Sequence, residues 1–284
     1  RSNIGHYSTK FEIFMKNVIK SKGIVYAYSD FVEAGAMAIA LMLEANGYKR
    51  YGKQNFFKEE IEPGSLRCAV CGHMQKEHRK GIVGVCSSYK QANYVIFTGK
   101  EAMNQSDLDT INKPENKDGQ NIKVVIGTRV SGEGVDFKMI REVHIIDPWH
   151  NNTRLYQVIG RAARHCSHIV LDERDREVVV FKYCSAPPDL YYDHYPQHPE
   201  KINVSDTQLD KPVLEKKELF FNRQQLKPFT FRQLFTETVD EKIYRRVERK
   251  DKFVKRVERI LKEVAVDCAL NKNINVFHNQ LKTD

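Results

Sequence analysis

The sequence predicts an α/β fold, a mostly parallel sheet with helices on both faces, followed by an α-helical C-terminal extension. Three observations carry this reading. Short apolar runs alternate with segments of helical period, as strands and crossover helices do when they succeed one another. The runs are almost continuously apolar, the pattern of strands buried on both faces. After a proline-rich stretch the chain changes character and becomes basic, with an apolar stripe at helical spacing.

Tyr7–Lys20 places Phe11, Phe14, Met15 and Val18 at helical spacing, and Gly23 ends that segment. Gly23–Tyr28 reads as a buried strand. Ser29 or Asp30 is positioned to cap a helix over Phe31–Ala45, closed by Asn46 and Gly47. Tyr48–Ala92 is polar, basic and glycine-containing, and breaks the rhythm as an insertion of about residues 48–92. Order resumes with a strand at Tyr94–Thr98, a short helix at Gln105–Asn112 and a polar loop at Lys113–Asn121. Strands at Lys123–Gly127 and Glu142–Ile146, a helix at Thr153–Arg164 and a strand at Glu177–Tyr183 complete the pattern. Ala186–Pro199 marks a boundary. The expected organisation is a domain over 1–190, a linker over 191–210 and a basic helical extension over 211–284. Within the extension, Thr238–Leu270 is strongly helical. Lys242–Lys262 carries ten Lys or Arg against three acids, with Ile243, Val247, Phe253, Val254, Val257, Ile260, Leu261 and Val264 as its apolar stripe. Such a helix suits a nucleic-acid path, docking against another domain, or a solvated face with pairs such as Glu248 and Lys252.

Composition narrows the class. Of 284 residues, 41% are hydrophobic and 29% charged, which excludes a disordered chain. No apolar run is long enough to span a bilayer and no signal-peptide pattern opens the chain. A net charge of +9 admits an anionic partner. Six unevenly spread cysteines do not form a secreted disulfide framework, so a reducing compartment is expected. The start at Arg1 rather than Met leads us to expect a piece of a longer polypeptide.

The chemistry-bearing stretch is Val124–Arg164. Gly132 and Gly134 let backbone amides approach an anion, Asp136 is placed to accept from a ribose hydroxyl, and Thr128 to donate to a nucleic-acid phosphate. In Gln157-x-x-Gly160-Arg161-x-x-Arg164 the spacing sets Gln157, Arg161 and Arg164 on one helix face. Arginine offers a planar, permanently charged fork that matches phosphate oxygens. Taken singly, the first is an ordinary Gly-rich turn and the second a solvated basic face. In the insertion, Cys68-Ala69-Val70-Cys71-Gly72-His73 is followed by His78 and Cys86. Soft ligands at this spacing suit tetrahedral zinc on Cys68, Cys71, His78 and Cys86, with His73 competing for the histidine place. The plain alternative is a loop of reduced cysteines. Cys166, Cys184 and Cys268 read as buried apolar residues. Tyr191, Tyr192 and Tyr195 have no assigned role.

The Gly127–Asp136 loop and the arginine helix, in this order and spacing, resemble motifs V and VI of superfamily 2 helicases and translocases. Pro148–Arg154 resembles the lead-in of the Swi/Snf-like branch, Val25–Ser29 lies where motif IV would, and Thr98-Gly99 resembles a strand-end motif of that branch. The resemblance covers Tyr7–Tyr183 and implies the second RecA-like domain of a motor. It implies that Arg161 and Arg164 are fingers reaching ATP on a first RecA-like domain, with Gln157 contacting phosphate or coupling the domains. It sets Gly132, Glu133, Gly134 and Asp136 on the nucleotide side. Ser29, Thr98, Gly99, Thr128 and Arg129 would line the nucleic-acid surface. The chain holds no Gly-x-x-x-x-Gly-Lys-[Ser/Thr] loop and no Asp-Glu-x-[Asp/His] box after an apolar strand. ATP and magnesium would therefore be held through the first domain, and this chain alone is expected to be inactive. Glu237–Tyr244 and Leu261–Asn273 resemble the tail of helicase-like proteins of large cytoplasmic DNA viruses, nearest the early transcription factor small subunit and related nucleoside triphosphatases. The implied partners are the N-terminal RecA-like domain of the same polypeptide, DNA or RNA, and a viral RNA polymerase or transcription factor subunit, with no membrane. The implied location is the cytoplasm of an infected cell, and the virion. The competing expectation is a non-catalytic nucleic-acid or protein interaction module that retains the fold.

Overall fold

The apolar runs become strands, four of them largely buried on both faces and the last, Val179–Lys182, partly exposed at the sheet edge. They are β1 (Ile24–Tyr28), β3 (Asn93–Phe97), β4 (Val124–Gly127), β5 (Ile140–Ile145) and β6 (Val179–Lys182). A sixth strand, β2 (Lys49–Arg50), was not expected from the sequence: it is two residues long and basic, and it pairs with β3 through Lys49↔Asn93 and Arg50↔Tyr94. It lies inside the stretch read as an insertion, so the sheet extends into it. The computed structural model describes residues 4–80, 84–98, 104–129, 136–185 and 238–264. The expected linker and most of the flanking extension, with Cys268 and the Tyr191–Tyr195 cluster, lie outside the described residues.

The strand order is β2-β3-β4-β1-β5-β6, with every pairing parallel. β1 sits at the centre, in register with β4 through Tyr26↔Val125 and with β5 through Tyr26↔Val143. Side chains alternate between two cores. Val25, Ala27, Tyr94, Ile96, Val124 and Ile126 pack on one face with α1 (Thr9–Lys20) and α2 (Ala38–Ala45). Tyr26, Val95, Phe97, Val125, Val143 and Ile145 pack on the other with α4 (Gln105–Asn112) and α5 (Asn152–Ala162). A short α3 (Gln75–Arg79) lies outside these layers. This two-faced parallel sheet is the RecA-like architecture expected from the sequence.

Local chemistry sets the helix ends. Ser8 caps α1 by accepting from the Phe11 amide at 3.3 Å, and Asn151 caps α5 by accepting from the Arg154 amide at 3.3 Å. The helix expected over Phe31–Ala45 instead begins as a π-helical turn, Val32–Met37, before α2 takes over. Its cap residue is Phe31, without a side-chain bond, because Ser29 is engaged elsewhere.

Connections off the sheet leave in opposite directions at one place. β1 is followed by α2 on the first face and leads to β2. β5 is followed by α5 on the second face and leads to β6. The chain therefore switches sides between β1 and β5, and open α/β sheets take their ligands at such a crevice, beyond the carboxyl ends of the strands.

The last described element is α6 (Val239–Val264), an unbroken helix. Its first half is fastened to the domain: Val247 is buried, the Tyr244 hydroxyl donates to the Tyr183 carbonyl at 3.2 Å, and Asp240 accepts from the Ser185 amide at 2.9 Å. Within it, Asp251 accepts from the Tyr156 hydroxyl of α5 at 3.1 Å and pairs with Lys255 at 2.7 Å. Cys166 and Cys184 are exposed, contrary to the expectation that they are buried. Both lie in connecting chain beyond an element's last residue, where no apolar layer covers them. No helix among the described residues is long and apolar enough to cross a membrane.

Lys123 is buried just before β4 and donates to the Ser21 carbonyl at 2.8 Å. Burial pulls its ammonium down to about 8, against the opposing pull of Glu142 and Asp118. Between that value and the ordinary 10.5, the folded chain binds fewer protons than the unfolded one, so this lysine makes stability rise with pH across that window. Lys123→Met should flatten that rise, seen as a smaller difference between unfolding midpoints at about pH 7 and about pH 9.5. An unchanged difference would show that Lys123 is not its source.

Candidate functional site

Because the strands are parallel, the residues after β1, β4 and β5 meet at one edge. Ser29, following β1, is fully buried, and its hydroxyl donates to Asp147 Oδ2, following β5, at 2.5 Å. Lys10 of α1 reaches the other Asp147 oxygen at 3.6 Å and donates to the Ile146 carbonyl at 3.1 Å. The same ammonium meets Asp240 of α6 at 3.2 Å. Asp30 accepts from the Tyr28 hydroxyl at 2.9 Å and lies 3.0 Å from Arg154 of α5. The Arg154 guanidinium also lies over the Trp149 ring, 4.3 Å from its centroid. Burial raises the Asp30 carboxyl above its ordinary range, while Tyr28, Arg154 and Arg129 oppose that and Asp147 adds to it. Asp30 Oδ2 is buried without a hydrogen-bond partner. The crevice at the switch is thus laced by charge across β1, β5, α1 and α5.

Helix α5 supplies the arginine face. Arg154, Gln157 and Arg161 recur at three and four residues, so they share one side, while Leu155, Val158 and Ala162 fill the core. Gln157 is exposed, and Arg161 is largely buried, only 8% exposed. The sequence places Arg164 within the helix, but α5 ends at Ala162. Freed from the helix, Arg164 turns to Asp136 and pairs with it at 2.5 Å, both side chains remaining about half exposed at 53% and 55%. Two residues singled out separately in the sequence are thereby brought into contact. Gly132, Glu133 and Gly134 lie outside the described residues, as does Gly99.

The hydroxyls expected to face nucleic acid are turned inward. Thr128 is fully buried and its hydroxyl donates to the Phe97 carbonyl at 3.2 Å. Thr98 is 5% exposed. Of that set, Ser29, Thr98 and Thr128 are buried and Arg129 is exposed. The sequence reading missed Asp30, Asp147, Lys10 and Arg154. Arg154 left a signal, since it precedes Gln157 by three and Arg161 by seven residues. Lys10 left none, because its partners are 137 and 230 residues away.

The insertion gathers its four predicted ligands. Cys68 and Cys86 sulfurs are 3.6 Å apart, Cys71 Sγ lies 3.2 Å from His78 Nε2, and all four ligand atoms fall within 4.8 Å of one another. The competition between histidines is resolved by geometry: His73 Nδ1 lies 3.1 Å from the Cys71 carbonyl oxygen, and it is His78, on α3, that meets the sulfurs. Burial pushes the Cys68 thiol up, but hydrogen bonds from the backbone at Cys71, Lys90 and Val70 bring it below its ordinary value.

Residues 66–166, spanning the cysteine cluster, β3 to β5 and the arginine helix, match the family described as helicase conserved C-terminal domain. The chain carries a helicase C-terminal domain. Over 296 residues it is 26% identical to a mimivirus protein (Acanthamoeba polyphaga mimivirus) named as an ATP-dependent RNA helicase, covering 98% of this chain and 22% of that protein. It is 27% identical to a termination factor NPH-I homologue of African swine fever virus, over 75% of this chain and 31% of the relative. It is 26% identical to an early transcription factor large subunit homologue of the same virus, over 66% of this chain and 16% of the relative. The chain spans less than a third of the length of these relatives. The viral resemblance read from the tail is matched, although the transcription factor relative is a large subunit rather than a small one.

The site of this helicase domain rests on one close approach. A Cβ built on Gly35, in the π-helical turn, would lie 1.8 Å from Ser29 Oγ. Gly35→Ala must therefore displace the Ser29–Asp147 bond and should cost about 1–3 kcal/mol, read as a lowered denaturation midpoint. An unchanged midpoint would mean that the turn relaxes freely.

Proposed function

We propose that this helicase domain is the second RecA-like half of a nucleic-acid-dependent ATPase, supplying arginine fingers to ATP held by a first domain. The observation that carries the reading is the α5 edge. Gln157 and Arg161 share one face of α5, which leaves the carboxyl end of β5 and runs back along the sheet, and Arg164, just past its end, meets Asp136 on the segment that leads into β5. Asp136 holds the Arg164 fork in the open, and a phosphate group offers the same fork better-matched oxygens. In phosphoryl transfer such a guanidinium neutralises charge that develops on the transferred group. Magnesium and the triphosphate would be held by the first domain, since this chain has no phosphate-binding loop or acidic box of its own.

Gly160 supports a partner across the cleft. Glycine inside a helix costs about 1 kcal/mol relative to alanine. A Cβ built at Gly160 meets nothing within 4 Å. The described residues therefore give no steric reason for glycine there, whereas close packing of another domain on that turn would. The exposed Arg129 and the basic outer half of α6 are the surfaces proposed for DNA or RNA. The names of the viral relatives favour a role beside a viral RNA polymerase or transcription factor subunit, in the infected cell and in the virion.

Three outcomes are expected. In the intact polypeptide, Arg164→Ala should lower kcat for ATP hydrolysis by about 10³-fold or more while ATP affinity survives. The 284-residue chain alone should hydrolyse none. Turnover by the isolated chain would overturn the half-motor reading, an intact polypeptide without turnover would favour a non-catalytic interaction module, and an Arg164→Ala protein with full activity would favour a different fingertip. Gly160→Ala should leave the isolated chain as stable or more stable by about 1 kcal/mol, yet depress turnover of the intact protein. Equal turnover would remove the close-packing argument.

A further inference from the structure

The cysteine cluster is seated against the end of α1 and beside β2, and nothing in the motor reading requires it. We propose that Cys68, Cys71, His78 and Cys86 hold one structural zinc ion, and that this ion staples the insertion to the sheet edge and to α1. An ion about 2.3 Å from each sulfur at tetrahedral angles separates two sulfurs by about 3.8 Å. The observed 3.6 Å between Cys68 and Cys86 and 3.2 Å between Cys71 and His78 match edges of such a tetrahedron. A disulfide would pair two of the sulfurs and leave the third without a role. Four protein ligands close the coordination shell, so no position is open for water or substrate and the ion is structural rather than catalytic.

The backbone around the ligands is folded to hold them. Arg67 and Met74 form an antiparallel bridge, the Cys68 amide donates to the His73 carbonyl at 2.8 Å, and the Gly72 amide donates to the Cys68 carbonyl at 3.1 Å. Gly72 turns the chain with φ of 73°, and a Cβ there would lie 2.3 Å from the Ile19 carbonyl oxygen of α1. The turn between the first two ligands is therefore seated directly on α1. His78 comes from α3, whose first turn is fixed by the Met74 amide donating to Glu77 at 2.5 Å. Cys86 is carried back by the segment in which the Ala69 amide donates to the Lys90 carbonyl at 2.8 Å and Cys68 bridges Gln91.

The same segment reaches the sheet. The Ala92 amide donates to the Arg67 carbonyl at 2.9 Å, and the Lys49 amide of β2 donates to the Ala92 carbonyl at 3.0 Å. The Arg67 guanidinium donates to the Asn46 carbonyl at 3.0 Å, and the Gln91 side chain to the Gly47 carbonyl at 3.1 Å. Few apolar groups hold the ligand-bearing part of the insertion, from Leu66 to Gln91: Ala69 joins the core, while Leu66 and Cys68 are buried nearby. So small an apolar contribution leaves the ion to supply the stability, as in small metal-organised folds. β2, two basic residues with little intrinsic tendency to pair, is held at the sheet edge by the neck of that staple.

The test uses the reduced 284-residue chain, purified without chelator. Elemental analysis should find about one zinc per chain, and cobalt substitution should give thiolate-to-metal absorption of a tetrahedral site. His78→Ala and Cys86→Ser should each lower the metal ratio about tenfold or more, whereas His73→Ala should retain it. Hydrogen exchange supplies the second readout. Removing zinc with a chelator should abolish amide protection across 66–92, including the Lys49 amide, while Tyr26 and Val125 of the central strands stay protected. A reduced, folded chain without bound metal would overturn the proposal. So would retention by His78→Ala with loss by His73→Ala, a disulfide between Cys68 and Cys86 in the native chain, or unchanged protection after chelation.

Discussion

Every strand runs the same way, and the rest of the structure follows from that constraint. A parallel sheet delivers the carboxyl ends of β1, β4 and β5 to one edge, and the chain's charged side chains converge there. Bringing Asp30 and Asp147 into a half-buried crevice is costly unless cations join them. Lys10 and Arg154 do so, one from the helix before β1 and one from the helix after β5. Lys10 also takes Asp240, so the amino end of α6 is tied to the same node. The edge that binds ligands in such sheets is thus also where α1, α5 and α6 are joined to the core.

Much of this was legible in the sequence because it rests on local patterns. The near-continuous apolar runs gave five of the strands within a few residues, four of them because a strand buried on both faces has no polar alternative. Recurrence at three and four residues gave the arginine face, and the Cys-x-x-Cys-Gly spacing with the following histidines and cysteine gave the four clustered ligands. β2 was invisible because nothing in Lys49 and Arg50 favours a strand; pairing with β3 and the hydrogen bonds around Ala92 impose it. The end of α5 was misplaced by two residues, since the turn after it is held by tertiary contacts such as the Met139 amide donating to the Ser167 carbonyl.

The hydroxyls expected to face nucleic acid show where residue type alone does not decide. Serine and threonine at strand ends can serve a ligand or the backbone, and the sequence does not distinguish these uses. Here Thr128 bonds the neighbouring strand's carbonyl and Ser29 bonds Asp147, so both secure the edge from within. The signal that separates the two uses is Gly35, whose missing side chain makes room for Ser29. A glycine in an otherwise apolar helical stretch is informative chiefly once its neighbour is known.

The central claim is that the α5 edge acts across a cleft on a nucleotide held by another domain. The most direct measurement is a structure of the intact polypeptide with ADP and a planar metal fluoride that mimics the transferred phosphoryl group. The account predicts that the Arg164 guanidinium leaves Asp136 and lies within about 3 Å of the fluoride, with Arg161 on the same face. A fluoride group contacted only by the first domain, with Arg164 still paired to Asp136, would contradict it.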